Sequence, residues 1–267
     1  MPLLPLGGPV KVGSKVYTLD STCNIDCTMQ ILYYLNEYTE IGRQYFLSKS
    51  DKFASVLQDI FTMMKNLNLS SARVCWIQQV LGLKIQGSMS MFGAERDQGV
   101  AGIKKWLKCL TKKTICREMY CPSASEAPKM LNTIDEFPVN SEMFLSWFKE
   151  GKEMSCHICH SAGAIVRYSF VGEPPRVFAY VCNGQWPSQG KTVIKARESD
   201  LKRKQIIGGT EYTVQAYTMF TGNHFYAVFL TSEGRFTYDN SKSPLQINSR
   251  HTLSETDSVN SVWLLKD

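Results

Sequence analysis

Apolar residues recur every three or four positions through the N-terminal part of the chain and every second position through the C-terminal part. Met29, Leu32 and Leu35 fall on one face of a helix expected over roughly Asn24 to Tyr38. Phe46, Phe53, Val56, Leu57, Ile60, Phe61 and Met64 keep the helical spacing between Ile41 and Leu69. A polar cap region at Asn66, Asn68, Ser70 and Ser71 precedes another helical stretch, Val74 to Gly82. Residues 83–98 read as a loop. Gly99 to Leu110 reads as a helix with Val100, Ile103, Trp106 and Leu107 inward and Lys104, Lys105 and Lys108 outward. Residues 111–140, broken by Pro122, Pro128 and Pro138, are expected to be irregular, with helical turns around Met143, Phe144 and Trp147. After Cys156 the pattern predicts strands at Ala164–Phe170, Arg176–Val181, Thr192–Ala196, Tyr212–Phe220, His224–Leu230, Arg235–Tyr238 and Val262–Leu265. Gly208-Gly209 and Ser232-Glu233-Gly234 supply turns between them. Residues 1–14 are expected to be a flexible leader, with Lys15–Leu19 as a short extended piece. A helical half over 15–120 followed by an antiparallel sheet half over 121–267 makes one α+β domain, with its site where the halves meet.

Composition narrows the class. Apolar residues make up 43% and charged residues 20% of 267, enough for one sizeable core. A net charge of +6, dispersed along the chain, gives no nucleic-acid signature, and Lys202-Arg203-Lys204 is expected to be a solvated face. No run approaches the ~18 apolar residues of a membrane-spanning helix. The proline-broken start, Met1 to Pro9, lacks the form of a signal peptide. Nine cysteines is an odd number without a disulfide-framework spacing, so a reducing intracellular compartment, cytoplasm or nucleus, is expected.

Two stretches carry candidate chemistry. In Ser21-Thr22-Cys23-Asn24-Ile25-Asp26-Cys27 a polar turn opens an amphipathic helix, where the helix field favours thiolate over thiol at Cys23. A buried structural cysteine is the competing role for Cys23, and Cys27 the competing nucleophile, one turn further along. His224 opens an apolar strand, and a hairpin through Arg235–Tyr238 returns Asp239 beside it, placed to accept from the imidazole and fix its tautomer. Asn240 is available for the same task or for bonding the backbone. A nucleophile, a base and an orienter make a thiol protease. Cys156-His157-Ile158-Cys159 offers half a zinc site, to which Cys109, Cys116, Cys121 and Cys182 are the candidates to add thiols; free thiols at a turn are the alternative, and no other cofactor is expected.

Thr22-Cys23-Asn24-Ile25-Asp26-Cys27-Thr28-Met29-Gln30 resembles the cysteine box of ubiquitin-specific proteases, especially their SUMO-directed peptidase-like relative. His224-Phe225-Tyr226-Ala227-Val228 is similar to the histidine box, and Phe236-Thr237-Tyr238-Asp239-Asn240 to its closing aspartate segment. Weaker likenesses follow in family order at Glu95–Gly99, Cys156–Cys159, Pro174–Val181 and Ser261–Leu265. The resemblance implies a papain-like cysteine protease fold with helical thumb, antiparallel palm sheet and reduced fingers. It implies an isopeptidase that removes ubiquitin or a SUMO-like modifier, with Cys23, His224 and Asp239 catalytic. Thr18, whose hydroxyl could donate, stands where the family usually places an oxyanion-donating asparagine, so Thr18 and Asn240 are the oxyanion and support candidates, and low activity, or a modifier-binding scaffold of the same fold, is the alternative. The partners implied are the modifier and its conjugates, neither nucleic acid nor membrane.

Overall fold

Helix α1, Cys23–Tyr38, is the centre of the molecule. The computed structural model describes residues 1–50, 52–91, 115–121, 129–131, 148–156, 159–160, 162–170, 172–182, 197–241, 247–248 and 257–267. Thirteen of the 16 residues of α1 are buried, so its apolar face at Met29, Leu32 and Leu35 is only part of what is covered. It is preceded by β1, Gly8–Val12, and β2, Lys15–Asp20, an antiparallel hairpin, and followed by α2, Glu40–Leu47, α3, Lys52–Lys65, and α4, Leu69–Cys75. A π-helical turn, Trp76–Val80, continues α4. The helical pattern between Ile41 and Leu69 is broken at Ser48-Lys49-Ser50, a polar run with no apolar position to keep a helix on the core. Leu57, Ile60, Phe61 and Met64 of α3 are buried at helical spacing.

The rest is sheet. Strands β3 (Met89–Ser90), β4 (Ile115–Tyr120), β5 (Lys129–Leu131), β6 (Lys152–Met154) and β7 (Ala164–Phe170) come first. Then follow β8 (Val177–Val181), β9 (Lys204–Ile207), β10 (Thr210–Phe220), β11 (Phe225–Thr231), β12 (Gly234–Tyr238), β13 (Ile247–Asn248) and β14 (Ser258–Lys266). The large sheet is antiparallel with order β13-β12-β11-β10-β14-β8, and β9 is paired to the start of β10. Strand alternation puts Ala216, Ala227, Phe229, Trp263 and Leu265 into one core with the helices. Their neighbours Tyr217, Met219, Tyr226, Val228, Val262 and Leu264 form a second core on the opposite face. A smaller antiparallel sheet, β5-β4-β7-β6, is separate in its hydrogen bonding but packs Tyr168 and Phe170 of β7 against the second core, and β3 joins β2 in parallel.

Three expectations change. Residues 1–14 are not a leader outside the fold: they contain β1, and Leu4 is fully buried. Within 111–140, expected to be irregular, lie β4 and β5; Arg117 and Glu118 break the apolar alternation, yet Glu118 is registered opposite Arg167 of β7. Helix α4 begins inside the expected cap region, at Leu69. The basic run Lys202-Arg203-Lys204 is exposed as expected, and Lys204 starts β9, where its ammonium meets Glu211 at 2.6 Å and Asp267 at 3.3 Å. The helix expected over Gly99–Leu110, the strand over Thr192–Ala196 and the Glu95–Gly99 segment lie outside the described residues.

Candidate active site

Ser21 takes a left-handed backbone, φ 53°, and turns the chain sharply into α1. Thr22 is then the N-cap and Cys23 the first helical residue, 2% exposed, at the end of α1 where amides point outward. Cys27, one turn on, is wholly buried in the core. The Thr22 hydroxyl does not cap the helix. It accepts from the Gly7 amide at 2.8 Å and donates to Asp26 Oδ2 at 2.6 Å.

Asp26 gathers further donors. Arg73 Nε of α4 reaches its Oδ1 at 2.8 Å, and Asn240 Nδ2 reaches its Oδ2 at 2.8 Å. The Asp26 and Arg73 side chains are 0% and 2% exposed. The other guanidinium nitrogens of Arg73 donate to the carbonyls of Gly7 at 3.0 Å and Pro5 at 2.6 Å. Burial pushes the Asp26 carboxyl up from its ordinary value, against the Arg73 charge and the bonds from Arg73, Thr22 and Asn240.

His224 stands just before β11. The β11–β12 register pairs Ala227 with Tyr238, so the residue after Tyr238 returns beside the start of β11. His224 Nε2 donates to Asp239 Oδ1 at 2.7 Å. The same oxygen accepts from the Ser241 amide at 3.0 Å and the Ser241 hydroxyl at 2.6 Å. Burial alone would raise the Asp239 carboxyl, but the His224 and Ser241 hydrogen bonds win and hold it well below the usual range. A proton on Nε2 leaves Nδ1 as the acceptor of the ring, the tautomer a general base uses.

The sequence candidates therefore divide. His224 and Asp239 meet directly, and Asn240 is tied to the first turn of the helix that Cys23 opens. Thr18 lies exposed on β2, opposite Pro9. Sequence reasoning missed Arg73 and Ser241. An arginine inside an apolar helical run signals the first, and a serine after Asp-Asn, ready to bond back to the aspartate, signals the second.

A separate thiol cluster lies by the small sheet. Cys121, Cys156 and Cys159 bring their sulfurs within 4.8 Å of one another, and Cys121 Sγ is 3.3 Å from Cys159 Sγ. After Cys159, His160 adopts a left-handed φ of 57° and its amide donates to the Cys156 carbonyl at 2.8 Å. That turn folds the two thiols of the CxxC toward one point, so three corners of a tetrahedral metal site can be filled.

No family model and no curated protein matches the chain. Solved structures do. The Ubp8-Sgf11-Sgf73-Sus1 SAGA DUB module superposes with a TM-score of 0.54 at 13% identity, over 98% of this chain and 68% of that one. The papain-like protease of the Middle-East respiratory syndrome coronavirus superposes at 0.51 and 10% identity, over 98% and 70%. The same viral protease with human ubiquitin gives 0.50 and 10%, over 98% and 70%. At such identities the likeness is one of fold: the chain has the α+β papain-like protease architecture.

Proposed function

We propose that this chain binds ubiquitin or a ubiquitin-like modifier and is a cysteine isopeptidase of low turnover. The observation that carries the reading is the 2.7 Å His224–Asp239 bond, fastened through Asn240 and Asp26 to the helix that Cys23 opens. The fold it shares with a deubiquitinating module and with a viral protease crystallised with human ubiquitin supports the modifier as ligand.

The chemistry follows from the side chains. His224 Nδ1 takes the Cys23 proton, and the thiolate attacks the terminal carbonyl of the modifier. The tetrahedral intermediate collapses as the imidazolium gives that proton to the departing lysine amine, leaving a thioester. His224 then takes a proton from water, hydroxide adds to the thioester, and the carboxylate and the thiol are released. Asp239 holds the ring and stabilises its charged form throughout. Low turnover is argued from Thr18, which is exposed on β2 and leaves the Cys23 amide as the main oxyanion donor; one missing donor costs about 10²–10³ in kcat.

A second reading, a modifier-binding domain that does not cut, is favoured by the same Thr18 and by the 2% exposure of Cys23. Ubiquitin and SUMO probes carrying a C-terminal electrophile separate the two. A slow covalent adduct lost in Cys23→Ala and kept in Cys27→Ala is expected, and the reacting probe names the modifier. Non-covalent binding without adduct would replace the enzyme by the binding domain.

A further inference from the structure

The buried pair of Asp26 and Arg73 takes no part in the proton transfers above. Two charges buried at 0% and 2% exposure recover in attraction little more than they lose in hydration, so extra stability is a poor account of them. Their directionality is a better one. A single oxygen, Asp26 Oδ2, bonds Thr22, the neighbour of Cys23, and Asn240, the neighbour of Asp239. The other oxygen takes Arg73, whose two remaining nitrogens clasp the carbonyls of Pro5 and Gly7. On the far side of Asp239, the Tyr238 hydroxyl donates to the Leu4 carbonyl. Both chain neighbours of Asp239 are thus tied, one to the N-terminal segment and one to the carboxylate that also holds the residue before Cys23.

We propose that Asp26 and Arg73 are positioning residues that hold the Cys23 helix in register with the His224–Asp239 strand end, with residues Leu4 to Gly7 as the third member of the joint. The proposal rests on the isopeptidase reading of the site. Loosening the joint separates thiol from imidazole without touching modifier binding, and a misplacement of about 1 Å costs about 10²-fold in kcat.

The test uses Asp26→Asn, Asn240→Asp and the double variant, in which amide and carboxylate exchange places. Each single change is expected to lower kcat about 10²-fold with KM within about twofold, and the double to return kcat to within about tenfold of wild type. Singles whose effects simply multiply in the double variant overturn the proposal. A second readout needs no modifier: the imidazole Nε2 proton of His224 by NMR, with the amide spectrum confirming the fold. It should be protected in wild type, lost to exchange in Asp26→Asn and regained in the double variant. An unchanged signal in Asp26→Asn overturns the joint. A wild type that reacts with no modifier overturns the isopeptidase reading alone, since the imidazole signal still decides the joint.

Discussion

Three donors converge on Asp239 Oδ1, and that arrangement has a consequence in acid. A carboxyl held below its unfolded value of about 3.9 stabilises the fold fully above that pH, and the contribution disappears as pH falls through the lower folded value. Wild type should therefore lose an increment of stability below about pH 4 that Asp239→Asn never had. Urea midpoints of the two proteins should converge between pH 7 and pH 3; a constant gap would mean that the Asp239 hydrogen bonds do not set its titration. The meeting of His224 with Asp239 was legible in the sequence because a hairpin with a short turn has few registers. The Asp26–Arg73 pair was not, since 47 positions separate its members and neither residue type favours burial.

Elements were legible where a strand-length apolar run is bounded by turn residues and hidden where breakers interrupt it. Strands β7, β10, β11 and β12 are such runs, so the sequence places each within two residues at either end. Strand β1 was missed because Gly7 and Pro9 read as breakers, although Gly7 uses its φ of 60° to let the chain pass the Leu19 carbonyl. The junction of α1 and α2 offers a sharper test. A Cβ at Gly42 would lie 2.2 Å from the Leu35 carbonyl oxygen and 2.5 Å from Thr39 Oγ1, which caps α2 by accepting from the Gly42 amide. Helix propensity alone favours alanine by about 1 kcal/mol. The clash should outweigh it, so Gly42→Ala should destabilise by roughly 1–3 kcal/mol in chemical denaturation. A neutral or stabilising result would show that α2 can move off α1 cheaply.

At the scale of the whole molecule, apolar burial is uneven. The large sheet is sandwiched between two extensive cores, whereas the small sheet shares the second core only through Tyr168 and Phe170 and at its other end has a buried cluster of Cys156, Ala164 and Val166 with Cys121 packed against it. A handful of small side chains gives little hydrophobic stabilisation, and small sheets in that position commonly rely on a staple. The thiols could provide one: two come from the CxxC turn and one follows β4, so a shared metal would tie the end of β4 to the segment leading into β7. Sulfurs around zinc at about 2.3 Å stand roughly 3.8 Å apart, inside the 4.8 Å spread found here. Protein expressed with zinc should carry about one zinc per chain by elemental analysis, and Cys156→Ser should carry almost none. Chelation should expose the small sheet to amide exchange first and leave β10, β11 and β14 protected, because their cores do not depend on the thiols. Zinc retained by both Cys156→Ser and Cys159→Ser would sink this assignment, and the 3.3 Å approach of Cys121 to Cys159 would then be tested as a redox-active pair.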